Sequence, residues 1–273
     1  MLQRTSPSTW DSATSPGILR WPLPYQSGSG ALMMRAVGLL ARHRVLSISG
    51  LEHVAPERDP FILALNHSTR TEAILVPTLL MLHRGGRLLH FVADWNYALI
   101  PGIGTMYRRA ETVLVTRKPA RPAFLNAFKP QLSPTSALAR ARKQLAAGRS
   151  VGIFPEGRVN RDPSRLLPGR RGAALLSLEL GIPLVPAGIR FPRSVSGQPL
   201  SDADCMAVEI GPALAPPRPA GHRVTPAELC AWHGVLMGEL ARLSRKSIAA
   251  ELSPSERLPP EILATSIGED DAH

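Results

Sequence analysis

Cysteine is nearly absent from this chain of 273 residues, with Cys205 and Cys230 the only two. They form no Cys-x-x-Cys pair and fit no zinc spacing with a histidine, so a disulfide framework and a structural zinc site are excluded; two unpaired thiols in a reducing compartment are expected. Aromatic residues make up only 5%. The core must therefore rest on Leu, Ala, Val and Ile. The aromatic–basic interleaving that stacks nucleic-acid bases is missing, as is any helix-turn-helix or zinc-finger spacing, so no nucleic-acid partner is expected. Lysine occurs only at 118, 129, 143 and 246. No apolar run reaches the ~18 residues of a spanning helix, and Met1 to Gly30 holds no secretory apolar stretch. No GK[ST] follows Gly152 and Gly157, which excludes a P-loop, and Ser194-Val195-Ser196-Gly197 is not a Gly-x-Ser-x-Gly elbow, which argues against an α/β-hydrolase-like esterase.

What is present is a basic, globular chain. Hydrophobic residues amount to 44% and the net charge is +11, carried almost wholly by arginine, with a pI near 10.9. That balance favours an acidic partner, of which an anionic membrane surface or a phosphate-bearing substrate ranks first. Residues 1–30, rich in Ser, Thr, Pro and Gly, read as a disordered leader, and 251–273 as a loose, flexible tail. The folded part is expected at 31–250. Ala31 to Arg44 reads as an amphipathic helix with a basic flank, suited equally to a membrane interface or to core packing.

Beyond it, extended and helical patterns alternate. Strands are expected at 44–50, 61–65, 88–92, 113–116, 150–154, 183–189 and 205–210, and helices at 69–83, 136–147, 170–180 and 226–247. Such alternation argues an α/β sheet covered by helices. Lys118 to Pro134, with four prolines, reads as a long loop or insertion.

Two segments carry the chemistry. The first is Asn66-His67-Ser68-Thr69-Arg70-Thr71-Glu72. A histidine that removes a hydroxyl proton works best when a carboxylate holds its other nitrogen, which fixes the tautomer and stabilises the imidazolium. In one continuous helix, residues five apart lie ~140° apart around the axis and cannot meet. His67 must therefore sit in a strand-to-helix bend, with Glu72 reaching back from the first turn. The competing reading is a capping box, Thr69-Arg70-Thr71-Glu72, in which the carboxylate serves only a backbone N–H. The second segment is Phe154-Pro155-Glu156-Gly157-Arg158. Pro155 ends a strand and Gly157 permits a tight turn, so Glu156 projects from a strand end, where open α/β sheets place binding groups. Arg158, Arg161, Arg165, Arg170 and Arg171 follow, and guanidinium groups suit phosphate.

With two further segments, these resemble the motifs of the glycerolipid acyltransferase family typified by 1-acylglycerol-3-phosphate O-acyltransferase. The segment with His67 and Glu72 is similar to the family's His-x4-Asp motif, and Val113-Leu114-Val115-Thr116-Arg117 to its middle motif. Phe154-Pro155-Glu156-Gly157-Arg158-Val159-Asn160 resembles Phe-Pro-Glu-Gly-Thr-Arg-Ser, and Ile182-Pro183-Leu184-Val185-Pro186 its late proline motif. The likeness covers residues 45–212. Glu72 replaces the usual Asp, as in the related lipid A acyltransferases. Thr116 and Glu111 depart from the middle motif, and Arg158 and Val159 stand where the family has Thr and Arg. Phe-Pro-Glu-Gly-x-Val-Asn also resembles the tafazzin-like branch, which handles lysophospholipids.

The resemblance implies a mixed, mostly parallel sheet flanked by helices. It implies a lysophospholipid acceptor, 1-acylglycerol-3-phosphate first, in phospholipid biosynthesis. The donor would be an acyl thioester, acyl-CoA or acyl carrier protein, and no metal or other cofactor is expected. His67 would be the general base and Glu72 its partner. Arg117, with Arg158 or Arg161, would hold an acceptor phosphate; Glu156 would hydrogen-bond the glycerol part and Gly157 would let the backbone approach it. The place of work would be the cytoplasmic side of a membrane, peripherally bound. A non-catalytic lipid-binding protein on the same fold, or an acyltransferase for a lyso-aminolipid, would show the same pattern.

Overall fold

The computed structural model describes residues 9–12, 18–94, 113–115, 137–195, 197–217, 220–221 and 223–249. Ten strands and five α-helices lie within them: β1 (Thr9–Asp11), α1 (Gly28–Ala41), β2 (Val45–Ser49), β3 (Ile62–Leu65), α2 (Glu72–His83), β4 (His90–Asp94), β5 (Val113–Val115), α3 (Ala137–Ala146), β6 (Val151–Ile153), β7 (Arg165–Leu166), α4 (Gly172–Leu180), β8 (Leu184–Arg190), β9 (Met206–Ile210), α5 (Pro226–Ser244) and β10 (Ser247–Ile248). Eight strands form one sheet in the order β1-β2-β9-β8-β3-β6-β4-β5. Pairing is parallel throughout except for β1 with β2 and β8 with β9. The fold is thus the mixed, mostly parallel sheet that was expected.

Strand β3 lies between β6 and β8, and Ile62, Leu63, Ala64 and Leu65 are completely buried. This explains its unbroken apolar run, since helices cover a parallel sheet on both faces and no polar alternation survives. Leu63 and Leu65 join the core packed under α1 and α2, while Ile62 and Ala64 join the one under α3, α4 and α5. Helix α5 begins with a capping box between Thr225 and Glu228 and has Pro226 at its first position, both good helix starts.

The segment expected to be a disordered leader enters the fold in part. β1 pairs antiparallel with β2, Trp10 is buried, and Ile18 and Leu23 join the core. Trp10 and Trp21 close edge-on around His83 at ring distances of 6.1 and 4.5 Å. Composition pointed the other way because the few large apolar side chains that do this are diluted by Ser, Pro and Gly. The tail at 251–273 and the expected insertion at 118–134 lie outside the described residues.

Helix α1 starts three residues earlier than expected, and its apolar residues divide unusually. Small or slender residues (Ala31, Met34, Gly38, Ala41) face inward, while Leu32 and Leu40 are 67% and 66% exposed. At Gly38 a Cβ would come within 2.5 Å of Leu82 Cδ1, so glycine is what lets α1 lie against α2. No helix among the described residues is long and apolar enough to cross a membrane.

Candidate active site

The site is built where β3 gives way to α2. Asn66 is fully buried and carries on the ladder with its side chain, its amide donating to Ile189 O at 3.1 Å and accepting from Ile189 N at 2.6 Å. The side chain thus satisfies β8 while the main chain leaves the sheet. His67 falls in the bend that results, and Glu72 is the first residue of α2.

Across this bend, His67 Nδ1 and Glu72 Oε1 are 2.9 Å apart. The imidazole is 12% exposed and the carboxylate fully buried. Glu72 also accepts from the Ser68 N–H, and Thr69 Oγ1 lies 3.4 Å from both Glu72 N and Oε2. The capping and imidazole-holding roles therefore coexist in one carboxylate. Burial pushes the Glu72 carboxyl above its ordinary value, opposed by hydrogen bonds from His67, Ser68 and Thr69 and by attraction to His67. The imidazole face stacks on Phe154 at 4.5 Å, and Phe154 leans on Phe91 at 5.7 Å. Phe91 in turn covers Gly152, where a Cβ would come within 2.5 Å of its ring. A glycine in β6 therefore makes room for the aromatic pair that supports the histidine.

The main chain of His67 is held from the second motif. Its N–H donates to Glu156 Oε1 at 2.8 Å, and its carbonyl accepts from the Asn160 N–H at 2.7 Å. Asn160 Nδ2 then donates to Glu156 Oε2 at 2.8 Å, and the Leu167 N–H donates to the same oxygen at 2.9 Å. Glu156 is 5% exposed with both oxygens engaged inside the fold. Its hydrogen bonds hold the main chain of the histidine, where the resemblance implied a contact with the glycerol part of an acceptor. A buried carboxylate with three donors is what low dielectric demands, and only coordinates reveal where those donors come from.

The arginines separate. Arg161 forms an ion pair with Asp202 at 2.8 Å and donates to Leu200 O at 2.5 Å. Asp202 also accepts from the Arg70 N–H at 2.7 Å, and its carbonyl accepts from Thr71 Oγ1 at 2.8 Å. Arg161 is thus paired with the 200–204 loop, which Asp202 ties in turn to the start of α2, where the sequence suggested a guanidinium free for phosphate. Arg158 is exposed beside Gly157, which makes the expected tight turn with a left-handed φ of +67°. Arg170, also exposed, runs over that turn: a Cβ on Gly157 would stand 2.9 Å from its Nε. Arg117 lies outside the described residues.

Sequence reasoning did not select Asn160 or Lys246, and it named Arg170 only within a run of arginines. Asn160 was within reach as the last residue of the second motif. Lys246 had a signal of its own, as one of four lysines in a chain that otherwise uses arginine. No cluster of three or more metal-binding side chains occurs among the described residues.

Comparison with known proteins agrees with this architecture. The structure is similar to that of the 1-acyl-sn-glycerophosphate (LPA) acyltransferase PlsC from Thermotoga maritima. The two share 17% sequence identity, with a TM-score of 0.51 over 78% of this chain and 80% of that one. At that identity the likeness is one of fold. No curated protein matches the sequence closely. The family model described as Acyltransferase matches residues 46–190, more than half of the chain, and includes His67, Glu72 and Glu156. On that match, the chain belongs to the acyltransferase family.

Proposed function

We propose that this acyltransferase moves a fatty acyl group from an acyl thioester, on CoA or acyl carrier protein, to the hydroxyl of a lysophospholipid, 1-acylglycerol-3-phosphate first, as a step of phospholipid biosynthesis. The observation that carries the reading is the 2.9 Å contact of His67 Nδ1 with Glu72 Oε1 across the bend. It commits Nδ1 to the carboxylate and leaves Nε2 as the basic nitrogen for an acceptor hydroxyl. Nε2 takes the hydroxyl proton as the oxygen attacks the thioester carbonyl. Collapse of the tetrahedral adduct breaks the carbon–sulfur bond, and the imidazolium returns its proton to the thiolate. Glu72 stabilises that imidazolium throughout. No metal or redox cofactor enters, since the thioester is already activated.

Arg158 and Arg170, both exposed at the Gly157 turn, would hold the acceptor's phosphate, with Arg117 a further candidate from the sequence. The exposed Leu32 and Leu40, with Leu19 and Tyr25 exposed in the segment before α1, suit an anionic membrane surface. Arginines would add about 1 kcal/mol for each well-placed cation. A peripheral enzyme on the cytoplasmic face is the arrangement this favours.

The test is a panel of lysophosphatidate, other lysophospholipids and lyso-aminolipids, offered with labelled acyl-CoA or acyl carrier protein. Thioester consumption that depends on lysophosphatidate supports the reading. Preference for a lyso-aminolipid would move the acceptor, and lipid binding without transfer would make the protein a binder on this fold.

A further inference from the structure

Lys246 is 5% exposed and lies behind the histidine bend. Its placement begins at the end of α5, where Arg245 takes the left-handed conformation at φ 56° and turns the chain back. Strand β10 then runs parallel to β7, with Ser247 N donating to Ser164 O at 2.9 Å and Ala249 N to Leu166 O at 2.7 Å. Between these two anchors, Lys246 Nζ donates to Ser68 Oγ at 2.8 Å and to Asp162 O at 2.7 Å. The charged groups acting on it are Glu156, Glu72 and Asp162. Burial draws its pKa below the ordinary lysine value, and the three carboxylates oppose that.

Two buried carboxylates hold His67, Glu72 by the ring and Glu156 by the main chain. Uncompensated buried anions are costly, and the imidazole is uncharged in the state that accepts a proton. Lys246 supplies a buried cation that both carboxylates attract. It also grips Ser68, whose N–H donates to Glu72 Oε1.

We propose that Lys246 is a positioning residue for acyl transfer, its ammonium compensating Glu72 and Glu156 and pinning Ser68, so that Glu72 is held as an anion aimed at His67 Nδ1. This rests on the acyl-transfer reading of His67 and Glu72. A nearby cation favours the carboxylate and disfavours the imidazolium. Its removal therefore moves the acid limb of the rate profile upward through both groups.

The test compares Lys246→Met, Lys246→Gln and Lys246→Arg with the unaltered full-length protein. In the two neutral variants kcat should fall about 10- to 100-fold, as for other supporting contacts around a reactive group. Both KM values should hold, and the acid limb should rise by about one pH unit. Lys246→Arg should recover most of the rate and the original limb. In parallel, diethyl pyrocarbonate modification of His67, mapped by peptide mass spectrometry, should need a higher pH in the neutral variants and not in Lys246→Arg. This second readout needs no turnover. Absence of acyl transfer in the unaltered protein would therefore defeat the acyl-transfer reading, while the modification curves would still decide the role of Lys246. An unchanged limb and an unchanged modification curve in folded Lys246→Met would overturn the proposal. So would loss of folding in both neutral variants, which would assign the lysine to the scaffold.

Discussion

The His67 main-chain N–H donates to Glu156 Oε1 at 2.8 Å, a bond that spans 89 residues of sequence and joins the two motifs into one site. The second oxygen of Glu156 takes Asn160 Nδ2 and the Leu167 N–H. A glutamine at 156 would turn an amide toward at least one of these donors. Glu156→Gln should therefore lower kcat by about 100-fold, with KM nearly unchanged and a stability loss of about 1–3 kcal/mol for the mispaired donor. Steady-state kinetics beside thermal melts will show it; a rise in acceptor KM with kcat intact would return Glu156 to substrate binding.

Glu72→Gln separates activity from stability. The rate should drop by about 10²- to 10⁴-fold, because the imidazolium loses its counter-charge. Folding should respond in the opposite sense. Burial raises the Glu72 carboxyl above its ordinary value, so the folded state binds that proton more tightly than the unfolded chain does. The stabilisation belongs to the protonated form at low pH and is lost as pH rises through the folded value. The melting temperature of Glu72→Gln relative to the unaltered protein should thus improve as pH rises from the acid range to neutrality. A variant that unfolds at neutral pH would instead make capping the chief duty of Glu72.

His83 gives an independent pH signature. Held between Trp10 and Trp21, its pKa is lowered by burial from 6.5 to about 4. Between those values the unfolded chain binds the proton and the folded one does not, so stability falls as pH drops through that window. The full effect is about 3 kcal/mol, reached below the folded value. Denaturant melts between pH 7 and 4 should show this slope, and His83→Phe should remove most of it.

The arginines divide in a measurable way. Arg158→Ala and Arg170→Ala should each raise KM for a phosphate-bearing acceptor by about 10-fold or more, the worth of a charge-assisted hydrogen bond. Arg161→Ala should leave that KM alone and loosen the loop held through Asp202, which hydrogen exchange at residues 200–204 will report.

How far the sequence reached follows from the physics of each element. The parallel core was legible because β3 is buried on both faces and so reads as continuous hydrocarbon. The bend at His67 was legible because the five-residue spacing rules out a single helix. Asn66 closing the ladder onto Ile189 was not, since its partner lies 123 residues away. Arg161 was read as a free cation for the same reason: its partner, Asp202, lies 41 residues on, and an exposed-looking guanidinium shows no sign of it in the chain. β1 escaped because three residues carry no period, and its one large apolar side chain, Trp10, sits among polar neighbours.

The catalytic role proposed for His67, held by Glu72, can be isolated in a single turnover. Transfer of a labelled acyl group from thioester to lysophosphatidate is followed for His67→Ala beside the unaltered protein, with matched melting curves. The unaltered protein should transfer rapidly and the variant not above background. Transfer at an undiminished rate by a folded His67→Ala protein would remove the histidine from the reaction.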